Sequence, residues 1–322
     1  MKHLFIINPK SFNDKQEMNV FSENVKDILG EAASIIISRY PRYAIFEVNE
    51  YLSEMSDCGE KVRVYAVGGD GILFDCLNGM AKYPGHELTS VPYGNANDFL
   101  RAFGEENVQL FRDIKLLSES PSVSTDIFRC GSNMAMNTTG IGLEGSSILV
   151  TESMAKKFSK IPYMRKLIPT LYVLGGVVVL FNEKLRSQYY NISLDGVDYS
   201  GEYIDINIGN GFANGGKSSS SPYAVPNDGY LDAIFIKKTP LLKSLIAVSS
   251  FTSGNFGKFP DVFFHVRFKK MLISSEEPIR IDTDGEAFYT SEVNIEINPG
   301  AVNFIAPEGV TYRPFKDFLS RT

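Results

Sequence analysis

The sequence predicts two domains of different class, a parallel α/β domain over residues 1–120 and an antiparallel β-sandwich over residues 121–300. Up to about residue 120, apolar strand segments alternate with helical segments, as is typical of a parallel sheet with helices on both faces. After Pro121 the pattern changes to a succession of strands. The chain of 322 residues, 43% of them hydrophobic, is long enough for two domains that each bury a core.

In the first domain, apolar runs predict the strands and helical periodicity predicts the helices. The predicted strands are Leu4–Ile7, Ser34–Ile37, Val62–Val67 and Leu88–Val91. The predicted helices lie near Lys15–Leu29, Tyr43–Met55, Ile72–Lys82, Ala96–Phe103 and Val108–Leu117. In a Rossmann-like sheet of this kind, ligands bind at the carboxyl ends of the strands. We therefore expect the loops after the strands to lie along one edge of the sheet.

In the second domain, strands predominate and helices are inserted between them. The predicted strands are Ser122–Arg129, Asn133–Thr138, Leu185–Leu194, Glu202–Ile208, Leu231–Ile236, Val262–Lys269, Ile279–Asp282 and Val293–Ile297. Asp195-Gly196 between two apolar runs is a hairpin signal. The predicted helices lie near Gly145–Lys157, Pro162–Phe181 and Leu241–Ser250.

Charge and cysteine content exclude some classes of function. The net charge of −6 and a pI of about 5.3 argue against a nucleic-acid partner. The three cysteines, Cys58, Cys76 and Cys130, have the spacing of neither a disulfide framework nor a zinc site. We therefore expect buried thiols and a cytoplasmic location.

The most apolar stretch is Leu167–Phe181, which is shorter than the roughly 20 residues that span a bilayer. It predicts a helix buried against a sheet; the alternative is the wall of a lipid pocket or a membrane-docking face. A basic cluster precedes it, formed by Lys156, Lys157, Lys160, Arg165 and Lys166. Such a cluster is usually solvated surface, and it could also contact anionic lipid headgroups.

The segment with the clearest chemistry is Gly68-Gly69-Asp70-Gly71, which directly follows a predicted strand and precedes a predicted helix. Glycines let the backbone approach a phosphate group closely, and a helix N-terminus favours an anion. Asp70 cannot bind phosphate directly, so it indicates a metal ion, a ribose hydroxyl or a proton to accept. The loop has neither the Walker nor the dinucleotide-binding pattern, and an ordinary tight turn is the alternative.

A second loop makes an ordinary turn a weaker explanation. The strand Leu88–Val91 ends in Pro92, Gly94 permits a turn, and Asn97 or Asp98 can cap the helix that follows. Together the two loops resemble those of the diacylglycerol kinase catalytic domain, a lipid-kinase family that carries a GGDGT loop and a P-x-GTANDFAR-like loop.

Four further segments extend the resemblance along the chain. They are Asn8-Pro9-Lys10-Ser11, Gly209–Lys217 with its Gly215-Gly216 pair, Asn227–Asp232, and Asp284-Gly285-Glu286. They resemble, in this order, the family's NP-x-S-G, GN-x(n)-GG, DDGLLD and DGE segments. Six motifs in the family's order are a specific signal.

The resemblance implies roles for individual residues. It implies that ATP is bound by Asn8, Ser38, Gly68, Gly69, Asp70, Gly71, Ile72, Gly94, Asn95 and Asn97. It implies that Asp284 is the general base and that Asp70 and Glu286 take part in catalysis. It also implies a structural Mg²⁺ ion on the carboxylate of Asp228, with the carbonyls of Val225 and Tyr230 as further ligands.

The resemblance also implies a fold, a reaction and partners. The fold is that of NAD kinases and diacylglycerol kinases, with residues 301–322 returning to the first domain. The reaction transfers the γ-phosphoryl group of ATP to a lipid hydroxyl, on diacylglycerol or a related lipid. The partners are a nucleotide and a lipid at the surface of a membrane, with which the protein associates peripherally. A homodimer is left open.

The sequence also departs from the family pattern. Ile72 replaces the Thr of GGDGT, Phe74-Asp75 replaces the following Asn-Glu, and Asn95 replaces the Thr of GTANDF. Two alternatives therefore stay open. One is an NAD kinase-like enzyme, which shares the GGDG loop. The other is a nucleotide- or lipid-binding protein without catalysis, which the loss of the hydroxyl at Ile72 favours.

Overall fold

A computed structural model describes residues 1–147, 150–151, 178–216, 218–252, 256 and 259–315. Several predicted features lie wholly or largely outside these residues: the basic cluster at 156–166, the helix Pro162–Phe181 up to residue 177, Lys217, and the C-terminal segment Phe315–Leu319 from residue 316 onward.

The first domain has the predicted alternation of strands and helices. The strands are β1 (Lys2–Ile7), β2 (Ala33–Ile37), β3 (Val62–Gly68) and β4 (Glu87–Pro92). The helices are α1 (Lys15–Leu29), α2 (Tyr43–Asp57), α3 (Asp70–Met80) and α4 (Ile114–Glu119), with 3₁₀ turns at Pro9–Ser11, Gly30–Ala32, Phe99–Phe103 and Glu105–Arg112. α1 shows how the sequence sets a boundary, because the Asp14 carboxylate accepts a hydrogen bond from Glu17 N at 2.8 Å.

Two predicted helices take a different form. The segment predicted as Ala96–Phe103 is helical only as a 3₁₀ turn from Phe99, and Val108–Leu117 is divided between a 3₁₀ turn and α4. Gly104 has a φ of 97°, a conformation that ends the first of these turns. Asp113 caps α4 by accepting a hydrogen bond from Leu116 N at 2.9 Å.

The sheet of the first domain is parallel, in the order β4-β3-β1-β2. Ile7, the last residue of β1, lies in register with Val67 of β3 and Ile37 of β2. The carboxyl ends of these strands are therefore aligned. The loops that follow them lie side by side, as strand topology predicts.

The second domain is antiparallel. Its strands are β5 (Ser122–Cys130), β6 (Asn133–Ala135), β7 (Thr138–Gly142), β8 (Gln188–Leu194), β9 (Val197–Asp198), β10 (Gly201–Gly209), β11 (Leu231–Lys237), β12 (Phe263–Phe268), β13 (Lys270–Thr283) and β14 (Glu286–Ile305). Its helices include Glu183–Arg186 and Leu241–Thr252, and residues 143–147 and 178–181 are also helical. β14 also pairs in parallel with β4, at Asn303 and Phe304, and so joins the two domains.

The prediction of a single strand over Asn133–Thr138 is wrong. Two strands, β6 and β7, are separated there by Met136 and Asn137. The backbone N–H groups of both residues donate to the carboxylate of Asp284. The Asp284 carboxylate therefore accepts hydrogen bonds from backbone N–H groups that, in a continuous strand, would donate to a neighbouring strand.

Each domain has its own apolar core. The first core packs β1, β3 and β4 against α1–α3, and the second lies between the strands of the sandwich. A third cluster joins the helix Leu241–Thr252 to the outer face of β11 and β12. Among the described residues, no helix is long and apolar enough to cross a membrane.

The prediction of buried thiols is correct for Cys76 and Cys130 and wrong for Cys58. Cys58 is the residue that directly follows α2, and its side chain is exposed.

Candidate active site

The two glycine loops pack directly against each other. The carbonyl oxygen of Gly68 accepts hydrogen bonds from Tyr93 N at 2.9 Å and Gly94 N at 2.8 Å. A Cβ atom on Gly94 would lie 2.3 Å from the Cα atom of Gly69, and one on Gly68 would lie 2.9 Å from Cγ2 of Ile72. These positions therefore require glycine for close approach, and the loops after β3 and β4 form one surface.

A cleft of about 510 Å³ opens above this surface, at the carboxyl ends of the strands. Eight residues of the predicted site line it: Asn8, Ser38, Gly69, Gly71, Ile72, Gly94, Asn95 and Glu286. Seven of them come from the first domain and Glu286 comes from the second. The structure thus brings most of the predicted nucleotide site together.

The cleft is suited to an anion. α3 begins beside it after Gly69 and α2 begins beside it after Arg42, and neither helix has a side-chain cap at its N-terminus. Uncapped helix N-termini present backbone N–H groups and a positive partial charge. Lys10, Arg39 and Arg42 also line the cleft. A polyphosphate group matches this combination.

Four of the residues predicted to bind ATP or to act in catalysis do not line the cleft: Gly68, Asp70, Asn97 and Asp284. Gly68 is packed against Ile72. Asn97, with a φ of 51°, donates from Nδ2 to the carbonyl of Gly94 at 2.8 Å and so fixes the second loop. Asp70 accepts a hydrogen bond at Oδ1 from Phe99 N at 3.2 Å. Desolvation raises the pKa of Asp70, although backbone N–H groups of the loop oppose the rise.

Asp98 is a site residue that the sequence analysis treated only as a helix cap. Its carboxylate accepts a hydrogen bond from Gly216 N at 2.9 Å and lies 3.5 Å from the Arg101 guanidinium. Burial, and then the nearby charge of Asp70, raise the pKa of Asp98 to about 6. The sequence did contain a signal for this role, because Asp98 is an acidic residue directly after Asn97 in the second glycine loop.

Asp284 occupies a tight turn between β13 and β14, with a φ of 48°. Its carboxylate accepts hydrogen bonds from Met136 N and Thr138 N, both at 2.8 Å, and from Asn137 N at 3.2 Å. Desolvation nevertheless raises its pKa to about 6, and the charge of Asp70 adds to the rise. Asp70 and Asp284, from different domains, thus interact electrostatically.

Glu286 belongs to a cluster that the sequence analysis missed. Oε2 of Glu286 lies 3.3 Å from NH2 of Arg42, whose guanidinium stacks 4.7 Å from the centre of the Phe74 ring. The backbone N–H of Arg42 donates to Oδ2 of Asp75 at 3.2 Å. Burial raises the pKa of Asp75 to about 6, and Arg42 opposes the rise. Phe74 and Asp75, two departures from the family pattern, therefore hold Arg42.

Asp228 lies apart from the cleft, and its contacts do not fit the magnesium ion that the resemblance implies. Oδ2 accepts a hydrogen bond from Arg267, and Oδ1 accepts one from Tyr230 N at 3.1 Å. The carbonyl of Val225 accepts a bond from Asn227 N at 2.8 Å. Arg267 is already a cation at this carboxylate, and it would repel a metal ion. Among the described residues, no group of three or more His, Cys, Asp or Glu could hold a metal.

Comparison with known proteins identifies both halves of the chain. A model of the diacylglycerol kinase catalytic domain matches residues 2–130. A model of the YegS C-terminal NAD kinase beta sandwich-like domain matches residues 161–306. The chain therefore combines a diacylglycerol kinase catalytic domain with a YegS C-terminal domain. This confirms the resemblance, and the protein is a kinase.

The relatives support the same assignment. The chain is 26% identical over 270 residues to a "Probable lipid kinase YegS-like" of Pseudomonas syringae, covering 81% of each protein. It is 29% identical over 256 residues to a protein of the same description from Pseudomonas fluorescens, covering 76% of this chain and 78% of that protein.

Solved structures confirm the predicted fold class. A diacylglycerol kinase structure from Bacillus anthracis superimposes with a TM-score of 0.67 at 23% identity, covering 96% of this chain and 98% of that one. A second structure from that organism gives a TM-score of 0.72 at 25% identity, covering 96% of each chain. The domain bounds and the roles of single residues stay predictions.

Proposed function

We propose that the protein is a lipid kinase that transfers the γ-phosphoryl group of ATP to the hydroxyl group of a lipid, diacylglycerol or a related molecule. The observation that supports this most directly is the arrangement of the cleft. Glycine loops and helix N-termini of the first domain form a site for a polyphosphate. The second domain adds Glu286 to the lining of this cleft, and Asp284, two residues earlier in the chain, is close enough for the charge of Asp70 to raise its pKa.

In this proposal Asp284 accepts the proton of the lipid hydroxyl. The hydroxyl oxygen forms a bond to the γ-phosphorus, the bond from that phosphorus to the bridging oxygen of ADP breaks, and the proton moves to Asp284. A pKa of about 6 leaves the carboxylate ionised at neutral pH and close to the value that favours proton transfer. Three backbone N–H groups hold its orientation.

Magnesium belongs to the proposal as the ion that accompanies ATP, not as an ion at Asp228. Mg²⁺ in kinases is bound through one or two carboxylates together with the phosphates of the nucleotide. Asp70, in the first turn of α3 beside the glycine loops, is the carboxylate that would contact such an ion. The ion would neutralise phosphate charge there.

The lipid substrate requires contact with a membrane, and we propose that the cytoplasmic protein binds its surface peripherally. The helix Leu241–Thr252 buries Ser244 and Ala247 against the sandwich and exposes Leu242 and Ile246. Leu242 is 78% exposed, and exposed apolar side chains one helical turn apart are suited to a lipid surface. Vesicle flotation of Leu242→Asp and Ile246→Asp variants tests this contact.

The test of the function is a phosphorylation screen. Labelled ATP is supplied with a lipid extract, or with NAD, and the labelled product is identified by mass. A labelled lipid supports the proposal, and labelled NAD supports the NAD kinase-like alternative. Nucleotide binding without transfer to any lipid supports a binding protein that lacks catalysis.

A further inference from the structure

Arg42 lies where an anion in the cleft would meet the second domain. It lines the cleft between the N-termini of α2 and α3, and its guanidinium is 3.3 Å from Glu286. Glu286 follows Asp284, the proposed proton acceptor, by two residues. The end of the cleft beside Arg42 is therefore the end at which the transferred group would lie.

The surroundings of Arg42 hold its side chain in this place. Its backbone has a φ of 66°, a conformation that favours glycine and is strained for a residue with a Cβ atom. Phe74 supports one face of the guanidinium at 4.7 Å, and Asp75 binds the backbone N–H. Within the described part of the chain, Glu286 is the one group that the guanidinium pairs with.

We propose that Arg42 binds the terminal phosphate of the nucleotide and exchanges its ion pair with Glu286 for that phosphate. This inference rests on the proposed nucleotide site and adds a phosphate-binding residue to it. A guanidinium binds a phosphate through two parallel hydrogen bonds, which are stronger than one contact with a carboxylate.

The ion pair of the free protein is suited to such an exchange. The side chains of Arg42 and Glu286 are 37% and 42% exposed, and exposed pairs of this kind are weak. Without Arg42, the carboxylates of Asp75 and Glu286 would face the terminal phosphate and repel it. The exchange therefore makes this end of the cleft specific for a nucleoside triphosphate.

The test compares the binding of ATP and ADP by calorimetry to the full chain and to Arg42→Gly. Glycine adopts the φ of residue 42 without strain, so the loop keeps its conformation. We expect ATP affinity to fall about tenfold, because one charge-assisted contact with the terminal phosphate is lost. ADP lacks that phosphate, so its affinity should fall less than about threefold. Glu286→Gln is expected to raise ATP affinity, because it frees the guanidinium.

Arg39→Ala is the matched control, because Arg39 lines the same cleft and stacks 5.6 Å from the Tyr43 ring. Its loss is expected to weaken ATP binding only slightly more than ADP binding, because a general change of charge acts on both nucleotides and ATP carries one further negative charge. Equal losses of ATP and ADP affinity in Arg42→Gly, or weaker ATP binding in Glu286→Gln, would overturn the inference and leave the proposed function intact. A wild-type chain that binds neither nucleotide would overturn both.

Discussion

A Cβ atom on Gly94 would lie 2.3 Å from the Cα atom of Gly69, so the two glycine loops touch backbone to backbone. Because the neighbouring atoms are backbone, the contact has no side chain that could move aside. The shape of the nucleotide cleft therefore depends on two positions 25 residues apart in the chain.

Gly94→Ala is expected to displace one loop, to lower the melting temperature and to weaken ATP binding, since overpacking typically costs about 1–3 kcal/mol. Gly71→Ala is the control for stability. It lies in the first turn of α3, where a Cβ would meet nothing within 4 Å, and alanine favours a helix. Its melting temperature should stay equal or rise. Equal stability of Gly94→Ala and wild type would show that the loops can separate.

The rate of transfer should depend on pH through Asp284. A base must be unprotonated, so the rate is expected to rise with pH through about 6 and then to level off. The pH profile of kcat/KM, measured with ATP in excess, checks this. A flat profile between pH 5 and 8 would remove Asp284 as the titrating base.

Asp284→Asn should lower kcat by about 10²–10⁴-fold with little change in ATP affinity, because the contact acts mainly in the transition state. Phosphoryl transfer with a loose transition state needs less help from a base, which favours the low end of this range. Both carboxylate oxygens accept backbone N–H groups, so an Asn amide would face a donor and lower stability. Melting curves separate the two effects. A near-normal kcat would contradict the assignment.

Asp75→Asn should stabilise the protein at pH 8 more than at pH 4. Burial raises the pKa of Asp75 from 3.8 to about 6, so folding favours its protonated form. Below about pH 4 the protonated carboxyl group of Asp75 contributes about 3 kcal/mol to the free energy of unfolding. This contribution is lost as the pH rises through about 6. Urea unfolding at both pH values measures it. Asp27→Asn on the exposed face of α1 is the control for removing a charge without burial. An effect of Asp75→Asn that does not depend on pH would refute the explanation.

The ion pair of Asp228 with Arg267 predicts that stability does not depend on magnesium. The melting temperature of the nucleotide-free protein should be the same in EDTA and in excess Mg²⁺, because the carboxylate of Asp228 already pairs with Arg267. Arg267→Met should lower it, because the carboxylate loses its partner. An Mg²⁺-dependent rise in wild type that disappears in Asp228→Ala would establish the metal site instead.

The sequence was sufficient for the parts of the fold that depend on local pattern. The bounds of α1 were predicted to the residue, and β3 extends the predicted strand Val62–Val67 by Gly68. Because the carboxyl ends of parallel strands share an edge, the meeting of Asn8, Gly69 and Gly94 also followed.

The rest depends on contacts between distant segments, which periodicity does not encode. The N–H donor of Met136 is 148 residues from Asp284, and that contact divides β6 from β7. The pairing of Arg42 with Glu286, and the bond from Gly216 to Asp98, likewise join the two domains. The sequence shows each of these residues, but it does not show which distant residue each one contacts.

The most direct measurement of the proposed activity is a competition assay in a single reaction. The wild-type protein receives γ-labelled ATP, Mg²⁺, NAD and mixed lipid vesicles together, and each product is counted after separation. We predict label in a lipid product, none in NAD, and loss of the lipid product in Asp284→Asn. Label in NAD, or label confined to ATP and free phosphate, would contradict the assignment as a lipid kinase.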